Sequence, residues 1–85
     1  MPYVYILKSK NDEKYYFGST KNIVRRLKEY KNGQVPSTKN RRPLRLIGWR
    51  KFESIFEAVM WEKKYKNSHG QFERDIKNGK ITIYS

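Results

Sequence analysis

The sequence predicts an α+β domain, a three-stranded antiparallel sheet flanked by about three helices. Three observations carry that prediction. Aromatic and β-branched residues cluster over Tyr3-Val4-Tyr5-Ile6-Leu7 and return at Tyr15-Tyr16-Phe17-Gly18 after a polar Lys10-Asn11-Asp12-Glu13 turn, the pattern of a hairpin. Apolar residues recur at helical spacing over 22–31, 54–66 and 68–78, each stretch opened by an Asn or Ser cap. Between the first two helices, Leu44 to Phe52 reads as a third strand.

Each element has a local reason. In the hairpin, side chains alternate across each strand, so Tyr5 shares a face with Tyr3 and Leu7. A register bringing Tyr5 and Tyr16 to one face would set two phenols side by side. In the first helix, Asn22 caps the start and Asn32-Gly33 the end, and Ile23, Leu27 and Tyr30 form a stripe. Arg25 then points to solvent, while Arg26 lies at the stripe's margin. There it either snorkels over the core edge or meets the sheet. Residues 33–43 form a loop in which Lys39, Arg41 and Arg42 sit among amides and hydroxyls; it suits phosphate contact or serves as an ordinary charged loop. In the third strand the alternation breaks near Gly48, so a bulge or bend is expected; the face of Trp49 stays open.

The second helix begins with the capping pattern Ser54-Ile55-Phe56-Glu57 and places Ile55, Ala58, Val59 and Tyr65 in its apolar stripe. Glu62 falls inside that stripe, three after Val59 and four after Ala58. A carboxylate facing a core needs an ion pair, hydrogen bonds or a metal; Arg26 or a lysine at the helix edge would serve as a pair. Ser68 and Gln71 repeat the capping spacing for a third helix, whose His69 reads as surface. Lys80 to Tyr84 alternates like a strand that either packs on the domain edge or adds to the sheet.

Composition narrows the function. Eighty-five residues make one domain, 1–85, with a compact core. There is no cysteine, which excludes disulfides and zinc–thiolate sites and fits a reducing cytoplasm, the expected compartment. No apolar run approaches the ~18 residues of a membrane span, and the N-terminus lacks a signal-peptide pattern. The net charge of +12 points to a polyanionic partner, nucleic acid first, with Lys21, Lys39, Arg41 and Arg42 as expected contacts. Covalent catalysis lacks a nucleophile and its base, and no phosphate-loop glycine pattern occurs.

Tyr3-Val4-Tyr5 followed by Tyr16-Phe17-Gly18 resembles the paired tripeptides of the GIY-YIG nuclease family, with Tyr3 at the first glycine and Val4 and Phe17 at the isoleucines. The resemblance extends in order along nearly the whole chain. Arg26 stands at the spacing of the family's arginine, Tyr30 at that of a tyrosine or histidine one turn later, and Glu62 at that of its metal-binding glutamate. Thr38 to Pro43 is similar to the small single-domain branch. The resemblance implies a metal-dependent endonuclease acting on nucleic acid, DNA ahead of RNA. Glu62 would hold Mg or Mn, Arg26 would meet the phosphate, and Tyr5 would orient or deprotonate water with Tyr16 and Tyr30 in support. Gly18 would be structural. A free tyrosine is only ~0.1% ionised at neutral pH, so Tyr5 as a base requires neighbours that lower its pKa, and implies an alkaline optimum. The alternatives are a basic binding module of the same fold without cleavage, or a small structural or ribosome-associated protein.

Overall fold

A computed structural model describes residues 1–36 and 39–84. Ser37 and Thr38 of the predicted loop, and Ser85, lie outside the described residues. The chain runs β1 (Tyr3–Ser9), β2 (Tyr15–Thr20), α1 (Ile23–Lys31), a 3₁₀ turn (Lys39–Arg41), β3 (Leu44–Lys51), α2 (Ile55–Asn67), α3 (His69–Lys77) and β4 (Thr82–Ile83). The sheet has four strands, not three, in the order β2-β1-β3-β4, and every pairing is antiparallel.

The hairpin turn is held by its polar residues. Ser9 Oγ accepts from the backbone N–H groups of Asn11 and Asp12, and Asp12 Oδ1 accepts from that of Lys14. Register then assigns the faces. Tyr5 lies between Gly18 and Trp49, and Leu7 between Tyr16 and Leu46. This face packs under α1, where Tyr5, Leu7, Tyr30 and Val35 are buried beside Leu27 and Leu44. Val4 and Ile6 face the other way, onto Ala58 and Tyr65 of α2 and Phe72 of α3.

The fourth strand follows from Gly48. The β1–β3 register slips between Ile6 and Leu7, whose partners are Gly48 and Leu46, so Ile47 is the extra residue of the expected bulge. A Cβ on Gly48 would stand 2.5 Å from the Thr82 carbonyl oxygen. Glycine there lets β4 close on the sheet edge.

The three helices start where the caps predict: Asn22, Ser54 and Ser68 each accept a hydrogen bond from the backbone N–H three residues on. Val59 departs from expectation. It is 41% exposed, on an outer face of α2 with Phe56 and Met60, while Trp61 packs on the core instead. Among the described residues no helix is long and apolar enough to cross a membrane.

A buried polar cluster joins β3, α2 and α3. Asp75 is fully buried. Its Oδ2 accepts from Tyr65 Oη at 2.6 Å and Arg50 Nη1 at 3.2 Å, and its Oδ1 from Gln71 Nε2 at 2.9 Å. Arg50 also donates to Tyr65 Oη at 2.8 Å, and its guanidinium lies between the rings of Phe52 and Trp61. Removing one partner from a buried ion pair costs about 3–5 kcal/mol, because the other charge stays desolvated. This cluster therefore fixes α3 against α2.

Burial and the Asp75 hydrogen bond push the Tyr65 hydroxyl up to about 12, against the opposing pull of Arg50. Its stabilising contribution is fully present below the ordinary tyrosine value of about 10 and is lost as pH rises toward the folded value, because the unfolded chain ionises first. We expect Tyr65→Phe to destabilise the protein by about 1–2 kcal/mol at neutral pH. Urea unfolding should show the gap between wild type and variant narrowing above about pH 10 and constant below it.

Candidate active site

The site is built around the edge strand β2. Gly18 lies opposite Tyr5, and a Cβ there would collide with the Tyr5 hydroxyl and ring. The phenol therefore lies across the glycine. This close approach is the reason for glycine at the end of the second tripeptide.

The first helix meets that phenol with one turn of side chains. Tyr30 Oη lies 2.9 Å from Tyr5 Oη, with the rings edge-to-face at 5.7 Å. Arg26 Nε donates to Tyr5 Oη at 3.3 Å and its Nη1 to Glu29 Oε1 at 2.8 Å, while its guanidinium lies over the Tyr30 ring. Arg26 thus meets the sheet rather than snorkelling past it. Arg25 is the solvated neighbour, 72% exposed beside a long contact to Glu29. Tyr5 and Glu29 hold the Arg26 pKa above its usual value, so the group is a permanent cation with its position fixed on three sides.

Tyr5 does not meet the expectation of a lowered pKa. Burial raises it first, and the Tyr30 hydrogen bond adds to the rise; the pull of Arg26 is smaller than the two together. Tyr5 is a neutral phenol at neutral pH. Nor do the two hairpin phenols pair. Tyr16 shares the Tyr5 face, but its hydroxyl donates to Asp12 Oδ2 at 2.9 Å, and its pKa is raised by burial and by that bond.

Glu62 reaches the site from the opposite face of the sheet. Its Oε1 accepts from Ser19 Oγ at 2.6 Å and its Oε2 from Lys66 Nζ at 2.7 Å, and its side chain is 18% exposed. The paired cation is thus a lysine one turn along the helix, not Arg26. Tyr5, Tyr16, Gly18, Arg26, Tyr30 and Glu62 line one cleft of about 350 Å³, which wraps the sheet edge at Gly18. Because β2 is the edge strand, residues from both faces line the same space.

The predicted nucleic-acid contacts divide. Lys21 is exposed between β2 and α1, and Lys39 is exposed at the 3₁₀ turn. Arg41 pairs with Asp12 at 3.0 Å, tying its loop to the hairpin turn. Arg42 donates to the carbonyl oxygens of Lys39 and Lys31, tying the same loop to the end of α1. The two arginines build the loop before they could serve any phosphate.

Among the described residues no three His, Cys, Asp or Glu side chains gather as a metal cage. Among the described residues that line the cleft, Glu62 is the one carboxylate. That fits a divalent ion such as Mg²⁺, which keeps several waters and takes one or two protein carboxylates. Ser19 and Glu29 are the site residues that sequence reasoning missed, and Lys66 is the helix-edge lysine it left unnamed. The lysine four after Glu62 and the glutamate three after Arg26 are helical pairings that were available as signals; Ser19 gave none.

Residues 1–77 match the family model described as the GIY-YIG catalytic domain, a span that takes in every residue of the cleft. The chain belongs to the GIY-YIG family. Its relatives include a UPF0213 protein of Listeria welshimeri, 40% identical over 65 residues, which are 75% of this chain and 71% of that protein. A UPF0213 protein of Clostridium perfringens is 44% identical over 59 residues, 68% of this chain and 62% of the relative. The solution NMR structure of a UPF0213 protein from Bacillus halodurans superposes with a TM-score of 0.54 at 34% identity. It covers 94% of this chain and 86% of the other. The α+β fold of the GIY-YIG domain is thus common to both structures.

The collision at Gly18 makes a direct prediction. Gly18→Ala should destabilise the protein by about 1–3 kcal/mol, the usual cost of overpacking. In a Tyr5→Ala background the cost should largely vanish, and a double-mutant cycle from urea midpoints would measure that coupling.

Proposed function

We propose that this GIY-YIG domain is a metal-dependent endonuclease that hydrolyses phosphodiester bonds in nucleic acid, DNA before RNA. The observation that supports it is the cleft at Gly18, where a fixed guanidinium, hydrogen-bonded phenols and a carboxylate share one space. Hydrolysis adds water oxygen to phosphorus and expels one ester oxygen. The negative charge that builds on the phosphate needs fixed donors.

Arg26 is that donor. Its Nε and Nη1 are held by Tyr5 and Glu29, which leaves Nη2 for a non-bridging oxygen. Tyr5 and Tyr30 share hydroxyl protons, so one of them donates within the pair and the other presents a proton to the cleft. Tyr5 acts as a neutral phenol that positions Arg26 and the attacking water. Tyr16 holds the hairpin turn through Asp12 and walls the cleft. Glu62 would hold Mg²⁺ or Mn²⁺, which supplies Lewis acidity and a more acidic bound water. Ser19 keeps the carboxylate oriented, and Lys66, half exposed at the rim, neutralises it until a cation arrives.

A second reading, a binding module of the same fold without cleavage, draws on Glu62 itself: both its oxygens already have protein partners. The two readings separate in an assay of labelled single-stranded, duplex and branched DNA and RNA with and without Mg²⁺ or Mn²⁺. We expect metal-dependent cleavage that falls about 10²–10³-fold in Arg26→Ala and in Glu62→Gln, with substrate affinity retained in the glutamine variant. Salt-sensitive binding with no cleavage under any metal would overturn the first reading and leave the second.

The protonation state of Tyr5 has its own signature. The ratio of wild-type to Tyr5→Phe cleavage rates should stay constant from about pH 6 to about pH 9. A tyrosinate base would instead widen that ratio about tenfold per pH unit, because its ionised fraction climbs that fast below its pKa.

A further inference from the structure

A second, larger cleft lies on the α1 face of the sheet, between α1, the Lys39–Pro43 loop and the C-terminal strand, with a volume of about 830 Å³. Its floor is Leu7, Leu27, Leu44 and Leu46. At the rim stand Lys31, Lys39 and Asn40, all exposed. Tyr84 forms one wall and is 58% exposed, which is unusual for a large aromatic ring beside an open apolar floor. Among the described residues no carboxylate lines the cleft.

Tyr30 lines both this cleft and the one at Gly18, so the two are neighbours across a single aromatic side chain. We infer that the leucine-floored cleft receives an unpaired nucleobase of the strand whose phosphate lies at Arg26. This rests on the endonuclease reading and adds a base-binding subsite to it. The chemistry selects that occupant on three counts. An apolar floor with an aromatic wall takes a flat, weakly polar ring, and base–aromatic stacking is tolerant of sequence. The lysine rim neutralises flanking phosphates. The Asn40 amide carries both a donor and an acceptor for a base edge. A base locked in a duplex cannot enter, so the cleft favours single-stranded or extruded nucleotides.

Arg42 has a building role in this subsite. Its hydrogen bonds to the Lys39 and Lys31 carbonyl oxygens join the loop to α1 across the cleft's end. Gly33, in a left-handed conformation, leaves room for that guanidinium.

The test is equilibrium binding of fluorescein-labelled oligothymidylate to the full chain in EDTA, where no cleavage can intervene. Tyr84→Ala should weaken single-strand binding about 5- to 150-fold, the range of one stacked base. Tyr84→Phe, which keeps the ring, should bind like wild type. Neither variant should alter affinity for a duplex of equal length or for an abasic strand, and the strand should shift the methyl resonances of Leu27 and Leu46. A Tyr84→Ala variant that binds the strand like wild type, or loses strand, duplex and abasic strand alike, would overturn the base subsite and leave the endonuclease reading standing. Wild-type protein that binds no strand or duplex at low salt would overturn both.

Discussion

The close passage of the Tyr5 ring across Gly18 is the constraint that the rest of the molecule serves. A buried phenol in a central strand must find a partner for its hydroxyl. The ring lies across the glycine opposite it on the edge strand, where any Cβ would collide with it. Once there, its hydroxyl sits at the sheet margin, where the first helix supplies Tyr30 and Arg26. The helix is thereby fixed at one height and one rotation. At the same sheet edge Glu62 reaches the cleft from the other face, held by Ser19. One glycine thus sets a strand pairing, a helix position and the geometry of a cleft.

The two faces of the sheet are stabilised by different physics. Under α1 the packing is apolar apart from the phenol pair. Across α2 and α3 it depends on Asp75, fully buried and satisfied by Tyr65, Arg50 and Gln71. A buried ion pair gains little net stability over a well-packed apolar replacement. What it does provide here is direction: the Asp75 carbonyl oxygen also accepts from Lys80 and Ile81, so the chain leaves α3 toward the sheet edge and β4. That strand ends in Tyr84, the wall of the leucine-floored cleft. The polar cluster on one face therefore positions a residue on the other.

Much of this was legible in the sequence, for a reason that differs by element. The helices were, because their caps and stripes are local: Asn22, Ser54 and Ser68 sit where the first turn needs an acceptor. The hairpin and its faces were, because alternation in a strand has one period. Glu62 stood out because a carboxylate in an apolar stripe contradicts its neighbours. What the sequence withheld depends on distant pairs. Val59 fits the helical stripe, yet it stands exposed on α2 with Phe56 and Met60, and Trp61 packs on the core. For Lys80 to Tyr84 the sequence left edge packing and an added strand open, and the approach of Thr82 to Gly48 decides for the strand; the Asp75 cluster draws on residues from three elements. The raised pKa of Tyr5 is not legible either, because desolvation, its first cause, depends on burial by distant elements.

The charge of the molecule looks different once its partners are known. Of the eight acidic residues, Asp12, Glu29, Glu62 and Asp75 are each engaged by an arginine or lysine within the fold. Arg26, Arg41 and Arg50 are correspondingly tied inward, and Arg42 is committed to carbonyl oxygens. These four guanidinium groups therefore build the structure, and the lysines, with exposed arginines such as Arg25, supply the outward field. That division suits the two chemistries. A planar, forked cation is the better buried partner for carboxylates and rings, while a flexible ammonium on the surface follows a phosphate chain without demanding one geometry. Arg26 alone belongs to both sets, anchored by Tyr5 and Glu29 and still bordering the cleft. Under the proposed endonuclease function, a cation held that firmly at the edge of a lysine-rich surface would convert loose electrostatic attraction into one registered phosphate.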